Sequence, residues 1–304
     1  MNRSIRIGTR DSALALWQAK TLQERLIEIG ITSELVPIKS EGDLNLVQPI
    51  YAMGVTGVFT KKLDSALLNK QIDVAIHSMK DVPTQLPEGI VQAAVLERGL
   101  TNDVIVWKNN ASQKKAQRTI ATGSLRRKAQ WISRSPEDII VPLRGNIQTR
   151  LSKLKDEYWD GAIFAEAAIS RLEISGEIIE PLLGFIPAPA QGALLVVCRL
   201  EDEEIGQQLT LLNNRDSERC TQIERDFLHT LEGGCTAPIG ALARCENKKI
   251  HFIGGLYSLK GSSSQKIKAT FPVDEAAGKG KELAKQLLQE GGASLMKEFR
   301  ENHG

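Results

Sequence analysis

At 304 residues, 41% of them apolar, the chain is long enough to bury a sizeable core and to divide into two or three domains. Lysine and arginine number 39 against 37 aspartates and glutamates, so the overall field selects neither nucleic acid nor a membrane surface as partner, and any functional basic patch must be local. No apolar run is long enough to span a bilayer and the N-terminal MNRSIRIGTR lacks the apolar core of a secretion signal, so the expectation is a soluble, cytoplasmic protein.

Residues 3–8 (RSIRIG) read as a short strand, and ALALWQAKTLQERLIEIG carries apolar residues at helical spacing with Ser12 placed to cap it. Residues 39–62 hold three glycines and a proline without a clear period, which predicts a loop, either a lid or an irregular connection. The strand, polar turn, helix unit then recurs at DVAIHSMKD (73–81), TIATGSLRRKAQW (119–131), IIVPLRGNIQTRLSKL (139–154) and GAIFAEAAISRL (161–172). Such alternation predicts parallel, doubly wound sheets covered on both faces. Breaks at ERGLTND (97–103) and GFIPAPAQGA (184–193) separate two α/β domains of similar size. From Asp216 the pattern changes to one helix, three strand-like segments and a helical tail, which predicts a small α+β third domain with Cys235 at its first turn.

In open α/β sheets ligands bind beyond the carboxyl ends of the strands, where helix N-termini point free N–H groups outward. The residues predicted there are Thr9, Arg10, Asp11 and Ser12; Ser78, Lys80 and Asp81; Thr122, Ser124, Arg126 and Arg127; and Arg144 and Arg150, with Arg171 later in its own helix. Cations and hydroxyls recurring at one position in four units suit a small polyanion. Any one of these arginines is more often a solvated surface residue or an ion-pair member; the repetition carries the reading. Asp81 among so many cations stays ionised, and serves either to steady a cationic intermediate or, more plainly, to pair with Lys80 or cap the next turn. Neither a phosphate-loop lysine pattern nor a GxGxxG turn is present.

The four cysteines, 198, 220, 235 and 245, show no CxxC spacing, and the four histidines no metal-ligand spacing, so neither disulfides nor a metal site are expected. Cys198, in ALLVVCRL, and Cys220, inside a helix, read as small buried hydrophobes. Cys235 follows two glycines in LEGGCTAPIGA, where the backbone can approach a bound group and a thiol is exposed to react.

HSMKDVP (77–83), GSLRR (123–127), LRGNIQTRLSKL (143–154), PAPAQGAL (187–194) and LEGGCTAPIGA (231–241), in this order, together resemble the porphobilinogen deaminase (hydroxymethylbilane synthase) family, and the match runs from RIGTRDSALALWQA to GGLYSLKGS. The resemblance implies an enzyme that joins four porphobilinogen units head to tail into hydroxymethylbilane, releasing ammonia at each addition, on a dipyrromethane cofactor held by a thioether to Cys235. It implies that Asp81 stabilises the azafulvene cation. It assigns Lys80, Ser78, Thr122, Ser124, Arg126, Arg127, Arg144 and Gly145 to the cofactor, and Arg10, Ser12, Lys61, Arg144, Arg150, Arg171 and Gln191 to the carboxylates of substrate and growing chain. The implied fold is two periplasmic-binding-protein-like domains, 1–96 with 193–210 (discontinuous) and 99–187, plus a cofactor-bearing domain, 215–304, in a monomer.

Three positions depart from the family pattern: Thr56 where lysine is common, with Lys61 keeping the second cation; Glu41 where a neutral or basic residue is usual; and Gly123 where serine is common. Two other readings stay open from the residues alone: a non-catalytic small-anion-binding protein, and a different thiol enzyme using Cys235 as a free nucleophile.

Overall fold

The computed structural model describes residues 4–38, 60–231 and 237–303. Cys235, Glu41 and Thr56, and nearly all of the loop predicted at 39–62, lie outside the described residues. The described chain divides into two compact units, one of residues 4–38, 60–99 and 192–219, the other of residues 100–191, 220–231 and 237–303.

In chain order, the first unit opens with β1 (Ile5–Thr9), α1 (Ala13–Glu28), β2 (Ser33–Pro37), α2 (Lys61–Leu68), β3 (Val74–Ser78) and β4 (Ile90–Val95). The second unit takes over with β5 (Asp103–Trp107), α3 (Asn110–Gln113), β6 (Thr119–Ala121), α4 (Leu125–Arg134), β7 (Ile139–Val141), α5 (Ile147–Asp156), β8 (Gly161–Ala165), α6 (Glu166–Arg171) and β9 (Ile178–Pro181). The chain then returns to the first unit for β10 (Leu194–Arg199) and α7 (Glu203–Thr210). Next come α8 (Arg215–Thr230), β11 (Ile239–Glu246), β12 (Lys249–Tyr257), β13 (Ser264–Pro272), α9 (Lys279–Leu287) and α10 (Ala293–His303).

The fold class matches the expectation of two α/β sheets and a small α+β part, but the sheets are mixed, not parallel. The first runs β2-β1-β3-β10-β4, with β1 parallel to β2 and β3 and with β10 antiparallel to both its neighbours. The second repeats that plan as β7-β6-β8-β5-β9, with β6 parallel to β7 and β8, and β5 antiparallel to β8 and β9. All residues of β5 and β10 are buried, and a strand covered on both faces reads as an unbroken apolar run that carries no mark of its direction.

Ser12 caps α1 as predicted, its hydroxyl accepting from the Ala15 N–H. Below it Ala19, Leu22 and Leu26 pack on Ile5, Ile7, Val74, Ile76, Val196 and the fully enclosed Cys198. In the second unit Val104, Val106, Phe164, Leu143 and Leu154 form one core layer, and Ile105, Trp107, Trp131 and Ile163 another. β11, β12 and β13 form an antiparallel sheet under α8 and α9, with Cys220, Phe227, Phe252 and Leu283 in its core. No helix among the described residues is long and apolar enough to cross a membrane.

Candidate active site

In the first unit the parallel pairing of β1 and β3 brings their carboxyl ends side by side, so Arg10, Asp11 and Ser12 adjoin Ser78, Lys80 and Asp81. Gln18 of α1 donates its amide to the Ser78 hydroxyl at 2.7 Å and ties helix to strand end. Residues Met79–Asp81 form a single 3-10 turn that buries Met79 and leaves Asp81 exposed. Neither the predicted pairing of Asp81 with Lys80 nor any other hydrogen bond of its carboxylate occurs among the described residues. Lys61, the first residue of α2, is exposed. His77, which spacing had set aside as no metal ligand, is 7% exposed at the end of β3, and its Nε2 has no hydrogen-bond partner among the described residues. Burial first, and the Arg10 guanidinium second, lower its pKa to about 4, so the ring is neutral at physiological pH.

In the second unit β6 and β7 end together, and the parallel β8 runs on past them. Thr122 and Ser124 follow β6; the Thr122 hydroxyl accepts from the Ser124 N–H at 3.2 Å, and Ser124 caps α4 by accepting from the Arg127 N–H. Arg144 and Gly145 follow β7. Gly145 has φ +110°, and a Cβ there would lie 2.7 Å from Thr149, so only glycine fits this turn. Arg150 donates through Nε to the Gly145 carbonyl at 2.7 Å and stiffens the same turn. Arg171 closes α6; burial lowers its pKa to about 10, and burial lowers Arg144 in the same direction. A guanidinium drawn out of water gains most from a carboxylate brought to it.

Arg126 and Arg127 are not the solvent-facing cations that the motif suggested: they are 3% and 6% exposed and both meet Asp103. Asp103 opens β5 opposite Ala165, the last residue of β8, so the antiparallel strand delivers a carboxylate to the end where the parallel strands deliver cations. Gln191 is fully buried and donates its amide to the carbonyls of Thr101 and Asn102 and to Asp103 at 2.8, 3.1 and 3.0 Å. The sequence reading missed Asp103 because ERGLTND presents itself as a domain break. The clue available was an aspartate placed directly before the apolar run VIVW.

Gly123, one of the departures from the family pattern, sits where a Cβ would approach the Leu143 carbonyl oxygen to 2.5 Å. The loops after β6 and β7 thus run closer together here than a serine permits. Among the described residues no group of three or more His, Cys, Asp or Glu side chains could hold a metal ion.

Two mixed α/β sheets with hydroxyls, guanidinia and exposed carboxylates at their strand ends place the chain in the mixed α/β class. Residues 5–207 match the family model described as "Porphobilinogen deaminase, dipyromethane cofactor binding domain", and residues 218–289 match "Porphobilinogen deaminase, C-terminal domain". The chain belongs to the porphobilinogen deaminase family. It is 39% identical over 305 residues to the porphobilinogen deaminase of Syntrophomonas wolfei, covering 98% of this chain and 99% of that protein. It is 38% identical over 311 residues to that of Chlorobium phaeobacteroides strain BS1, covering 99% of each. Among solved structures, an ancestral cationic amino acid solute binding protein aligns with a TM-score of 0.43 at 14% identity, covering 69% of this chain and 87% of that one.

Proposed function

We propose that this chain is a hydroxymethylbilane synthase of tetrapyrrole biosynthesis, acting as a monomer in the cytoplasm. It joins four porphobilinogen molecules head to tail, with loss of ammonia at each addition, and releases hydroxymethylbilane by hydrolysis. The observation that carries the reading is the gathering of Arg10, Lys80 and Asp81 at the strand ends of one sheet and Arg144, Arg150 and Arg171 at those of the other, in a chain of this family.

A dipyrromethane carries acetate and propionate groups, and the residues present fit it. Arg144 and Arg171 are half-buried guanidinia whose pKa values burial lowers, and Arg126 has a buried Nε–H that finds no acceptor among the described residues. When bound through a thioether to Cys235, the group supplies the primer to which the first substrate is joined. Lys80, Ser78, Thr122, Ser124, Arg126, Arg127, Arg144 and the Gly145 backbone hold it. Arg10, Ser12, Lys61, Arg144, Arg150 and Arg171 receive carboxylates of substrate and growing chain, while Gln191, buried with its amide on Asp103, supports the second unit from within. Asp81, exposed and without a hydrogen bond to its carboxylate among the described residues, stabilises the cation left on the substrate as ammonia departs. We assign these tasks to three domains: residues 1–96 with 193–210, residues 99–187, and residues 215–304. Hydrophobic clusters around Phe227, Leu22 and Phe164 fall one in each range, and a further one of Ala129, Ile186 and Tyr257 joins the second range to the third.

Intact mass tests the reading. Purified wild-type protein should carry an adduct of about two pyrrole units, as a nucleophilic cysteine requires. The adduct should be absent from Cys235→Ser, whose deaminase activity should be nearly nil, and present in the alanine variants of Cys198, Cys220 and Cys245. A wild-type mass without adduct, or an adduct on another cysteine, would refute it.

A further inference from the structure

The paired arginines of GSLRR are held from behind by one buried carboxylate, and the way they are held selects the face they show. Asp103 has no exposed side-chain surface and receives Arg126 end-on, Nη1 to Oδ2 at 2.6 Å and Nη2 to Oδ1 at 3.3 Å. Arg126 Nη1 also donates to the Ile186 carbonyl at 2.8 Å. Arg127 meets the same carboxylate through Nε at 2.9 Å and Nη2 at 2.8 Å, and gives Nη1 to the Ile163 carbonyl at 3.1 Å. Gln191 adds a third donor to Asp103 at 3.0 Å. Three chain segments far apart in sequence therefore meet at one side chain.

The guanidinium of Arg126 has two edges able to grip a carboxylate, the Nη1/Nη2 end and the Nε/Nη2 side. Asp103 occupies the end. The Nε–H on the side edge is buried and has no partner among the described residues.

We propose that Asp103 is a positioning residue which, by occupying the end of Arg126 and fixing Arg127 against β8, presents the Nε/Nη2 edge of Arg126 as a preformed two-donor seat for a pyrrole carboxylate. This rests on the deaminase reading for the identity of the ligand, and on the geometry for the seat itself. The antiparallel course of β5 puts Asp103 opposite Ala165 at the end of β8, and Gln191 locks the carboxylate from the segment that leads back to the first unit. Arg126 approached by a neutral side chain loses its end-on clamp and rotates, and the two donors no longer converge.

Substitution of Asp103 by asparagine separates positioning from simple charge balance, because the two predict opposite signs. Asparagine removes a negative charge beside two cations, so by field alone an anionic ligand should bind more tightly. By positioning, it should bind more weakly. The comparison is made in the full chain carrying Cys235→Ser, in which no thioether forms, by calorimetric titration with porphobilinogen, with circular dichroism and the thermal midpoint recorded for each variant. Asp103→Asn should weaken binding about tenfold, the worth of one charge-assisted contact. Gln191→Met, which keeps every charge and removes only the lock, should weaken it about threefold. Unchanged or tighter binding by a folded Asp103→Asn would overturn the proposal. Should that variant fail to fold, Gln191→Met decides alone, and parent-like affinity overturns it. A parent that binds no porphobilinogen would also sink the seat. The deaminase reading fails separately, through a wild-type mass with no adduct, and leaves the calorimetric comparison standing.

Discussion

At the scale of single residues, Asp81 and His77 stand close together on the same strand end and behave oppositely. Asp81 lies on an exposed turn with no hydrogen bond to its carboxylate among the described residues, so its charge faces solvent. Asp81→Asn keeps the shape and removes the charge. It should fold and retain the pyrrole adduct while turnover falls about a hundredfold, the equivalent of roughly 3 kcal/mol of lost stabilisation of a developing cation. Steady-state kinetics beside intact mass check this, and activity within a few-fold of wild type would make Asp81 structural. His77 is buried and its pKa is lowered to about 4 by burial and by Arg10. The unfolded chain, titrating near pH 6.5, therefore binds a proton that the folded chain refuses, and stability is complete above that pH and lost as pH falls toward 4. The loss amounts to up to about 3 kcal/mol. Urea unfolding at pH 7 and pH 4.5 should show a smaller decline for His77→Gln than for wild type, and parallel declines would remove His77 from the acid response.

At the scale of elements, the loops after β6 and β7 are set by what two glycines leave out. Gly145 turns at positive φ against Thr149, and Gly123 passes the Leu143 carbonyl where no side chain fits. The absence of a side chain at Gly123 is thus matched to a close approach of two backbones. Gly123→Ser must push the β7 loop, which carries Arg144, away from α4. An overpacked backbone contact costs about 1–3 kcal/mol, so the thermal midpoint should drop by several degrees. A midpoint at or above wild type would show that the loop yields freely. The Ser12 cap was legible beforehand, since it sits directly ahead of a helical apolar period and accepts an N–H three residues on, whereas the same role of Ser124 emerged only from the structure. The strands β5 and β10 were legible as apolar segments, but not in direction.

At the scale of the whole molecule, the chain leaves the first unit after β4 and returns to it as β10, which lies between β3 and β4. Residues 1–99 alone lack the strand that bonds to both, so β4 loses its only neighbour in that sheet. A fragment of residues 1–99 should therefore show no cooperative urea transition, and the same fragment joined by a short linker to residues 192–219 should regain one. A cooperative transition in the short fragment would mean that the sheet closes without β10. Within the second unit, Glu224 of α8 is fully buried and accepts from the Ala190 N–H and the Ala243 N–H, each at 2.6 Å. It joins the segment carrying Gln191 to the sheet of β11, β12 and β13. Glu224→Gln keeps the volume but turns an N–H toward an N–H, and should cost roughly 1–3 kcal/mol in unfolding free energy. A loss below a few tenths would assign Ala190 another anchor.

Helix caps, the strand, turn, helix rhythm, the change of pattern after Asp216 and the motifs that mark the family are local, and each is written within a dozen or so neighbouring residues. The sequence alone therefore determined the element types, the fold class and the family. Strand direction within a sheet and the pairing of Asp103 with Arg126, Arg127 and Gln191 belong to contacts made across 23, 24 and 88 residues. Buried strands are apolar whichever way they run, and an aspartate in a polar break looks like any other until the antiparallel strand it begins is laid against β8. Only the tertiary structure decided that the two arginines which motif and charge offer to a ligand are first held by the protein itself.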